Sequence, residues 1–280
     1  MTLVTTKEML KDAYANRYAI GAFGAHNLEI IKAIIAGAES VGAPVILQTT
    51  SSTYKYVGMP YMMAMAKAAA EQASVPVALH LDHGESFDTV MKCLRAGYTS
   101  VMIDGSTLPF DDNVKIVKRV VEAAAPIGIP VEAELGTIGG VEDDLIVDER
   151  LAMFTDPEMA GRFVRETGID SLAPAFGTAH GAYKKEPDLQ FDLLKEIREA
   201  TDVPLVMHGA SGVSEESVKR AIGIGVAKVN FSTELKDLFA EQLRRFFLEH
   251  PTENDPRKYF LPAREAVIKL VEKKIGMLQG

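Results

Sequence analysis

Histidines and carboxylates carry most of the chemistry open to this 280-residue chain. His80, His83, His180 and His208 lie within or just after short apolar runs, whereas His26 follows the first such run and His250 sits in a charged tail. A single such histidine is most often a hydrogen-bonded core residue. Three that converge are different, because three neutral imidazoles can hold Zn2+ and leave a position open for substrate or water. His83, His180 and His208 are the expected ligands. His80, deeper in its run, is expected to be a buried hydrogen-bonding partner. Asp82, Asp104, Glu132 and Glu134 accompany them, and carboxylates removed from water need a cation or donors. The runs hold almost no basic residue apart from Lys228, so metal and substrate are the expected partners.

Glycine marks a second kind of site at Gly177-Thr-Ala-His-Gly181, Gly209-Ala-Ser-Gly212 and the segment Asn230-Phe-Ser-Thr233. Glycine lets backbone N–H groups approach an anion closely, so these segments together suit a phosphate.

Such residues must be positioned by the elements that carry them. Eight β-branched runs, at 18–23, 44–50, 76–83, 100–106, 130–136, 171–177, 204–210 and 227–233, alternate with helical patterns. Examples are EIIKAIIAGAESVG (29–42) and NVKIVKRVVEAAAPIG (113–128), which show apolar helical spacing and a terminal glycine. Eight strand–helix units predict a (β/α)8 TIM barrel in one domain over 1–280 with a C-terminal helical extension; a doubly wound open sheet is the competitor. Strand parity adds a test. Gln48, Thr50, His80, Asp82, Asp104, Glu132, Glu134, His208, Asn230 and Ser232 share even positions, and their odd neighbours are mostly aliphatic. The polar set should face the barrel interior near its C-terminal rim, where barrel enzymes place their sites.

Composition narrows the function. A hydrophobic share of 47% supports a substantial core, and a formal charge of -9 argues against binding nucleic acid. No apolar run approaches the ~20 residues needed to span a bilayer. A single cysteine, Cys93, and an N-terminus without a signal-like apolar core point to the cytoplasm.

The motifs HLDHGES (80–86), SVMIDGS (100–106), VEAELGTIGGVEDD (131–144), GTAHG (177–181), VMHGAS (206–211), KVNFSTELK (228–236) and NDPRKY (254–259) run through the whole chain. In these it resembles class II ketose-bisphosphate aldolases, most closely their tagatose-bisphosphate branch, and it is also similar to class II fructose-bisphosphate aldolases. The resemblance implies reversible cleavage of tagatose or fructose 1,6-bisphosphate to dihydroxyacetone phosphate and glyceraldehyde 3-phosphate through a zinc-stabilised enediolate. His83, His180 and His208 would bind the zinc. Asp82 would exchange the proton of the C4 oxygen, and Glu142, in a long segment at 137–157, would be the lid base acting at C3. Gly181, Gly209, Ala210, Ser211, Asn230, Phe231, Ser232 and Thr233 would hold the dihydroxyacetone phosphate end, near a monovalent cation (Na+ or K+). Arg257 would reach the distal phosphate, commonly across a subunit boundary of a homodimer or homotetramer, and Asp104 and Glu134 would surround a second metal position.

Where many relatives carry asparagine in the first strand, this chain has Gly24, which opens space or removes a donor near the sugar. Other readings are an aldolase for a phosphorylated deoxy-ketogluconate or a sulfonated ketose, a zinc-dependent sugar-phosphate epimerase, and a non-catalytic companion subunit of an aldolase. The retained His83, His180, His208, Asp82 and Glu142 weigh against the last.

Overall fold

A computed structural model describes residues 2–142, 145–147, 153–181, 183 and 187–279, with the backbone alone for 141–142 and 145–147. Its barrel strands are β1 (Ile20–Gly24), β2 (Val45–Thr49), β3 (Val77–Gly84), β4 (Ser100–Ile103), β5 (Val131–Leu135), β8 (Ser171–Pro174), β9 (Leu205–Met207) and β10 (Val226–Phe231). They are parallel and close in that order, β10 pairing with β1, which is the expected TIM barrel. The connection after β5 contains a short antiparallel hairpin, β6 (Gly140–Glu142) and β7 (Leu145–Val147).

Helices cover the outside: α2 (Leu28–Val41), α3 (Ser51–Val57), α4 (Met59–Gln72), α5 (Phe87–Ala96), α6 (Phe110–Ala124), α7 (Pro157–Thr167), α8 (Phe191–Ala200), α9 (Glu215–Ile224) and α10 (Thr233–Glu249). Before β1 comes α1 (Thr6–Asn16), and α11 (Pro256–Leu278) is the C-terminal extension. The residues of α2 show why such a segment folds this way. Asn27 accepts the N–H of Ile30 at its start, Ile30, Ile31, Ile34 and Ala38 form one buried face, and Gly42 ends it at φ 68°. Helical spacing of that apolar face drives it onto the sheet, and only glycine enters the left-handed cap without cost. Gly37 on the same helix lets α11 pack close, since a Cβ there would lie 2.8 Å from Val271. Among the described residues no helix is long and apolar enough to cross a membrane.

Two apolar clusters flank the strands. The larger lies between strands and helices and includes Val45, Leu47, Leu79, Leu81, Val101, Val131, Leu205 and Val229. The smaller fills the lower barrel, where Ile20, Ala22, Ile46, Ala78 and Ala227 meet Leu10 and Ala13 of α1. The interior is therefore apolar below, plugged by α1, and polar above.

Candidate active site

Parity accounts for most of the upper layer. Gln48 pairs in register with His80, His80 with Ser100, and Met102 with Glu132, so these side chains share the interior. Odd-numbered His83 breaks the alternation. The β3–β4 register shifts between Leu81 and Gly84, and His83 adopts φ 46°, a left-handed conformation that costs a non-glycine residue about 1–3 kcal/mol. Gly84 permits the detour, because a Cβ there would sit 2.3 Å from the carbonyl oxygen of Met102. The strained turn brings His83 into the mouth beside Asp82.

His83, His180 and His208 converge there. All three are buried, and one nitrogen of each lies within 4.8 Å of the others. His83 donates from Nδ1 to Oδ2 of Asp104 at 2.8 Å, and His208 donates from Nε2 to Oε1 of Glu132 at 2.9 Å. The remaining nitrogens, Nε2 of His83 and Nδ1 of His208, face one another at 3.0 Å. With both outer nitrogens protonated, two lone pairs meet, and they repel unless a proton or cation lies between them. A tetrahedral zinc with ligands at ~2.05 Å holds its nitrogens about 3.3 Å apart. Carboxylates behind ligating imidazoles are the usual support of a metal site.

The electrostatics agree with that geometry. Burial opposes a proton on His83, but Asp82, the Asp104 hydrogen bond and Glu134 outweigh it and hold its pKa well above the ordinary histidine range. Burial, then the charges of His83 and His208, keeps His180 well below that range. His208 is also lowered, chiefly by burial and against its bond to Glu132. Glu134 is held well above the usual carboxyl range by burial and by Asp104. His83, Asp104 and Glu134 also bring ligand atoms within 4.8 Å of one another. Asp104 is already engaged at both oxygens, by His83 and by the N–H of Ser106.

Asp82 is fully buried; its Oδ1 accepts from Asn230 Nδ2 at 3.2 Å, and Oδ2 has no hydrogen-bond partner among the described residues. Glu132 corrects the expectation that these acids lack a basic partner. Lys228 bonds both its oxygens, at 3.0 and 2.8 Å, and despite burial holds its carboxyl well below the usual range. His80 is the expected hydrogen-bonding core residue, with Nδ1 2.8 Å from Ser100 Oγ and a pKa pushed down to about 3 by burial and by Lys228.

The glycine-rich loops meet at the same rim. Gly209 has φ 63°, and a Cβ there would collide with the carbonyl oxygen of Ala179 at 2.3 Å. Tyr183, absent from the sequence-derived site, ties the loops together by accepting from the Ala179 N–H at 2.6 Å and donating to Gly209 O at 2.8 Å. Ser232 stands at the N-cap position of α10 with its hydroxyl not used as a cap, Thr233 begins the helix, and Ser211 Oγ lies 3.5 Å from the Glu234 backbone nitrogen. A helix N-terminus beside a glycine turn favours an anion. Ala210 and Phe231 are buried beneath this rim.

At Gly24 the expected open space is filled. The ring of His26 folds over it, with Nε2 2.7 Å from where a Cβ would stand and 3.3 Å from Ser232 Oγ. Arg257 is not brought to the histidines within one chain. Its guanidinium is bonded to Asp255 at 2.8 Å, its side chain is 89% exposed, and it lines a separate cavity with Glu29, Lys32 and Arg264. Glu142 ends β6, whose Gly140 bridges to His180, but the Glu142 side chain lies outside the described residues.

Known proteins share this architecture. The crystal structure of the YdjI aldolase from Escherichia coli K12 superposes with a TM-score of 0.88 at 34% identity, covering 99% of this chain and 97% of that one. A candidate fructose-1,6-biphosphate aldolase from Coccidioides immitis gives 0.89 at 32%, covering 97% and 94%. The family model described as fructose-bisphosphate aldolase class-II matches residues 4–280, and the chain belongs to that family of carbon–carbon lyases.

Proposed function

We propose that the chain cleaves a ketose 1,6-bisphosphate, of the tagatose or fructose configuration, reversibly into dihydroxyacetone phosphate and glyceraldehyde 3-phosphate, with His83, His180 and His208 holding zinc. The observation that carries this reading is the pair of imidazole nitrogens 3.0 Å apart, each backed on its outer side by a carboxylate, the partly buried Asp104 and the buried Glu132. Zinc bound there would supply an electrophile that acidifies carbon next to a ketone.

The chain's own residues supply the rest. Asn230 orients Asp82, whose second oxygen is available to take the C4 hydroxyl proton as the C3–C4 bond breaks. Glu142 is assigned the return of a proton to C3, and its hairpin is anchored beside His180 by the hydrogen bond from His180 N to Gly139 O at 2.8 Å. The 1-phosphate belongs against Gly181, Gly209, Ser211 and the N-terminus of α10 from Ser232 and Thr233, close to the backbone oxygens that would take a monovalent cation. Arg257, exposed and bonded to Asp255 rather than gathered with the histidines within one chain, suits the distal phosphate of a neighbouring subunit in a homodimer or homotetramer. Asp104 and Glu134 would serve a second metal position only if Asp104 released His83.

A panel of phosphorylated ketoses incubated with zinc-loaded protein, followed by a coupled assay for dihydroxyacetone phosphate, tests the reading. Release from a 1,6-bisphosphate is expected. Epimerisation without release, or turnover confined to substrates lacking the distal phosphate, would overturn it.

A further inference from the structure

Lys228 is fully buried on β10, below the three histidines, and touches none of them in the hydrogen bonds of the site. An ammonium has three N–H donors and no acceptor. Here two directions go to Glu132, at 3.0 Å from Oε1 and 2.8 Å from Oε2, and a third faces His80 Nε2 at 3.4 Å. His80 is held in turn by Ser100 Oγ, which also accepts from Thr6 Oγ1 at 2.9 Å. Gripped from both sides, Lys228 fixes the orientation of the Glu132 carboxylate. Oε1 keeps one lone pair for a further donor, and that donor is the Nε2–H of His208 at 2.9 Å. The proton of neutral His208 is thereby placed on Nε2, and the lone pair of Nδ1 is left pointing toward His83.

We propose that Lys228 is a positioning residue for the metal centre: acting through Glu132, it holds His208 in the one tautomer whose Nδ1 can be a ligand. The inference rests on the zinc reading above. It differs from a purely structural ion pair, which would stabilise the barrel core without setting the ring of His208. Unheld, the Glu132 carboxylate could rotate away from Nε2, and the proton of His208 could then move to Nδ1.

Zinc affinity, measured by competition with a chromophoric chelator, and the His208 tautomer, read from 15N–1H correlation spectra of metal-free and zinc-loaded protein, test it together. Lys228→Met should weaken zinc about 10- to 100-fold, as loss of support behind a ligand does, and populate the Nδ1–H form of His208 when metal-free. Lys228→Arg, which keeps the donors, should recover most of the affinity. Lys228→Met leaves Glu132 as an unpaired buried charge and could prevent folding. The double variant Lys228→Met with Glu132→Gln removes that charge. It should fold, and it should still bind zinc weakly, because a glutamine amide free to flip can offer N–H instead of oxygen to His208. Wild-type affinity and an unchanged Nε2–H tautomer in the folded Lys228 variants would overturn the positioning role. If His208→Ala also retained full zinc affinity, the zinc reading itself would fall, so the two failures are distinguishable.

Discussion

Asp104→Ala removes the carboxylate that accepts from His83 Nδ1 at 2.8 Å and leaves the three imidazoles in place. A hydrogen bond to a charged group in a buried site is worth about 1.5–3 kcal/mol. Each 1.4 kcal/mol is roughly a factor of ten, so zinc should bind about 10- to 100-fold more weakly. The loss should depend on pH. Asp104 makes His83 more basic toward protons as well as toward metal, and in the metal-free protein the pKa of His83 stands well above its ordinary value despite burial. Below that pKa a proton must leave before zinc can bind, which cancels part of what Asp104 contributes; above it the whole contribution is visible. Chelator competition at about pH 6 and about pH 9 should show the gap between wild type and Asp104→Ala widening with pH. Asp104→Asn, able to offer an amide oxygen, should lose less. Equal affinities at both pH values, or a gap that narrows as pH rises, would show that Asp104 does not support His83 as a ligand.

Asp82→Ala should abolish carbon–carbon cleavage yet retain slow exchange of the C3 proton of dihydroxyacetone phosphate, whereas Glu142→Ala should suppress the exchange; NMR in D2O reads both, and normal exchange in the second variant contradicts the division. Arg257→Ala should lower kcat/KM for a 1,6-bisphosphate and spare the exchange reaction, and equal losses with and without the distal phosphate would make Arg257 structural. Metal-free protein should lose stability in acid. Burial first, and Lys228 next, push His80 from 6.5 to about 3, and His180 and His208 are lowered chiefly by burial, so their contribution is present above 6.5 and is lost as pH falls toward 3. Glu134, held above its ordinary 4.5 by burial and by Asp104, opposes the trend as pH falls to 4.5, whereas His83, raised above 6.5, adds its pH dependence only above that value. A Tm that rises between about pH 7 and about pH 4 would contradict this balance.

All eight runs read from β-branched spacing are barrel strands, because period-two alternation reports directly which face meets the helices. The same alternation located Glu132, Glu134 and Asn230 in the interior. His83 was expected as a ligand from its place at the end of a run, but the alternation did not account for its inward turn, since a bulge and a left-handed residue depend on how β4 crowds β3 at Gly84. Lys228 was visible as the exception among apolar runs, and its even position was the signal that it shares the interior with Glu132; pairing across the barrel is a long-range fact that spacing does not carry. Gly24 shows the same limit: the sequence marks a missing side chain, and only packing shows that His26 occupies the room. The long connection after β5 was legible by length, but the hairpin within it, and the bridge from Gly140 to His180, follow from tertiary contact.

A metal site formed by the three histidines, as proposed, should labilise the proton next to the ketone of dihydroxyacetone phosphate, whichever sugar is the natural substrate. Exchange of that proton in D2O needs no aldehyde partner and so tests the site alone. Zinc-loaded protein should exchange it, and chelated protein and His208→Ala should not. Absence of exchange in zinc-loaded protein, or undiminished exchange in His208→Ala, would contradict a catalytic metal site at these histidines.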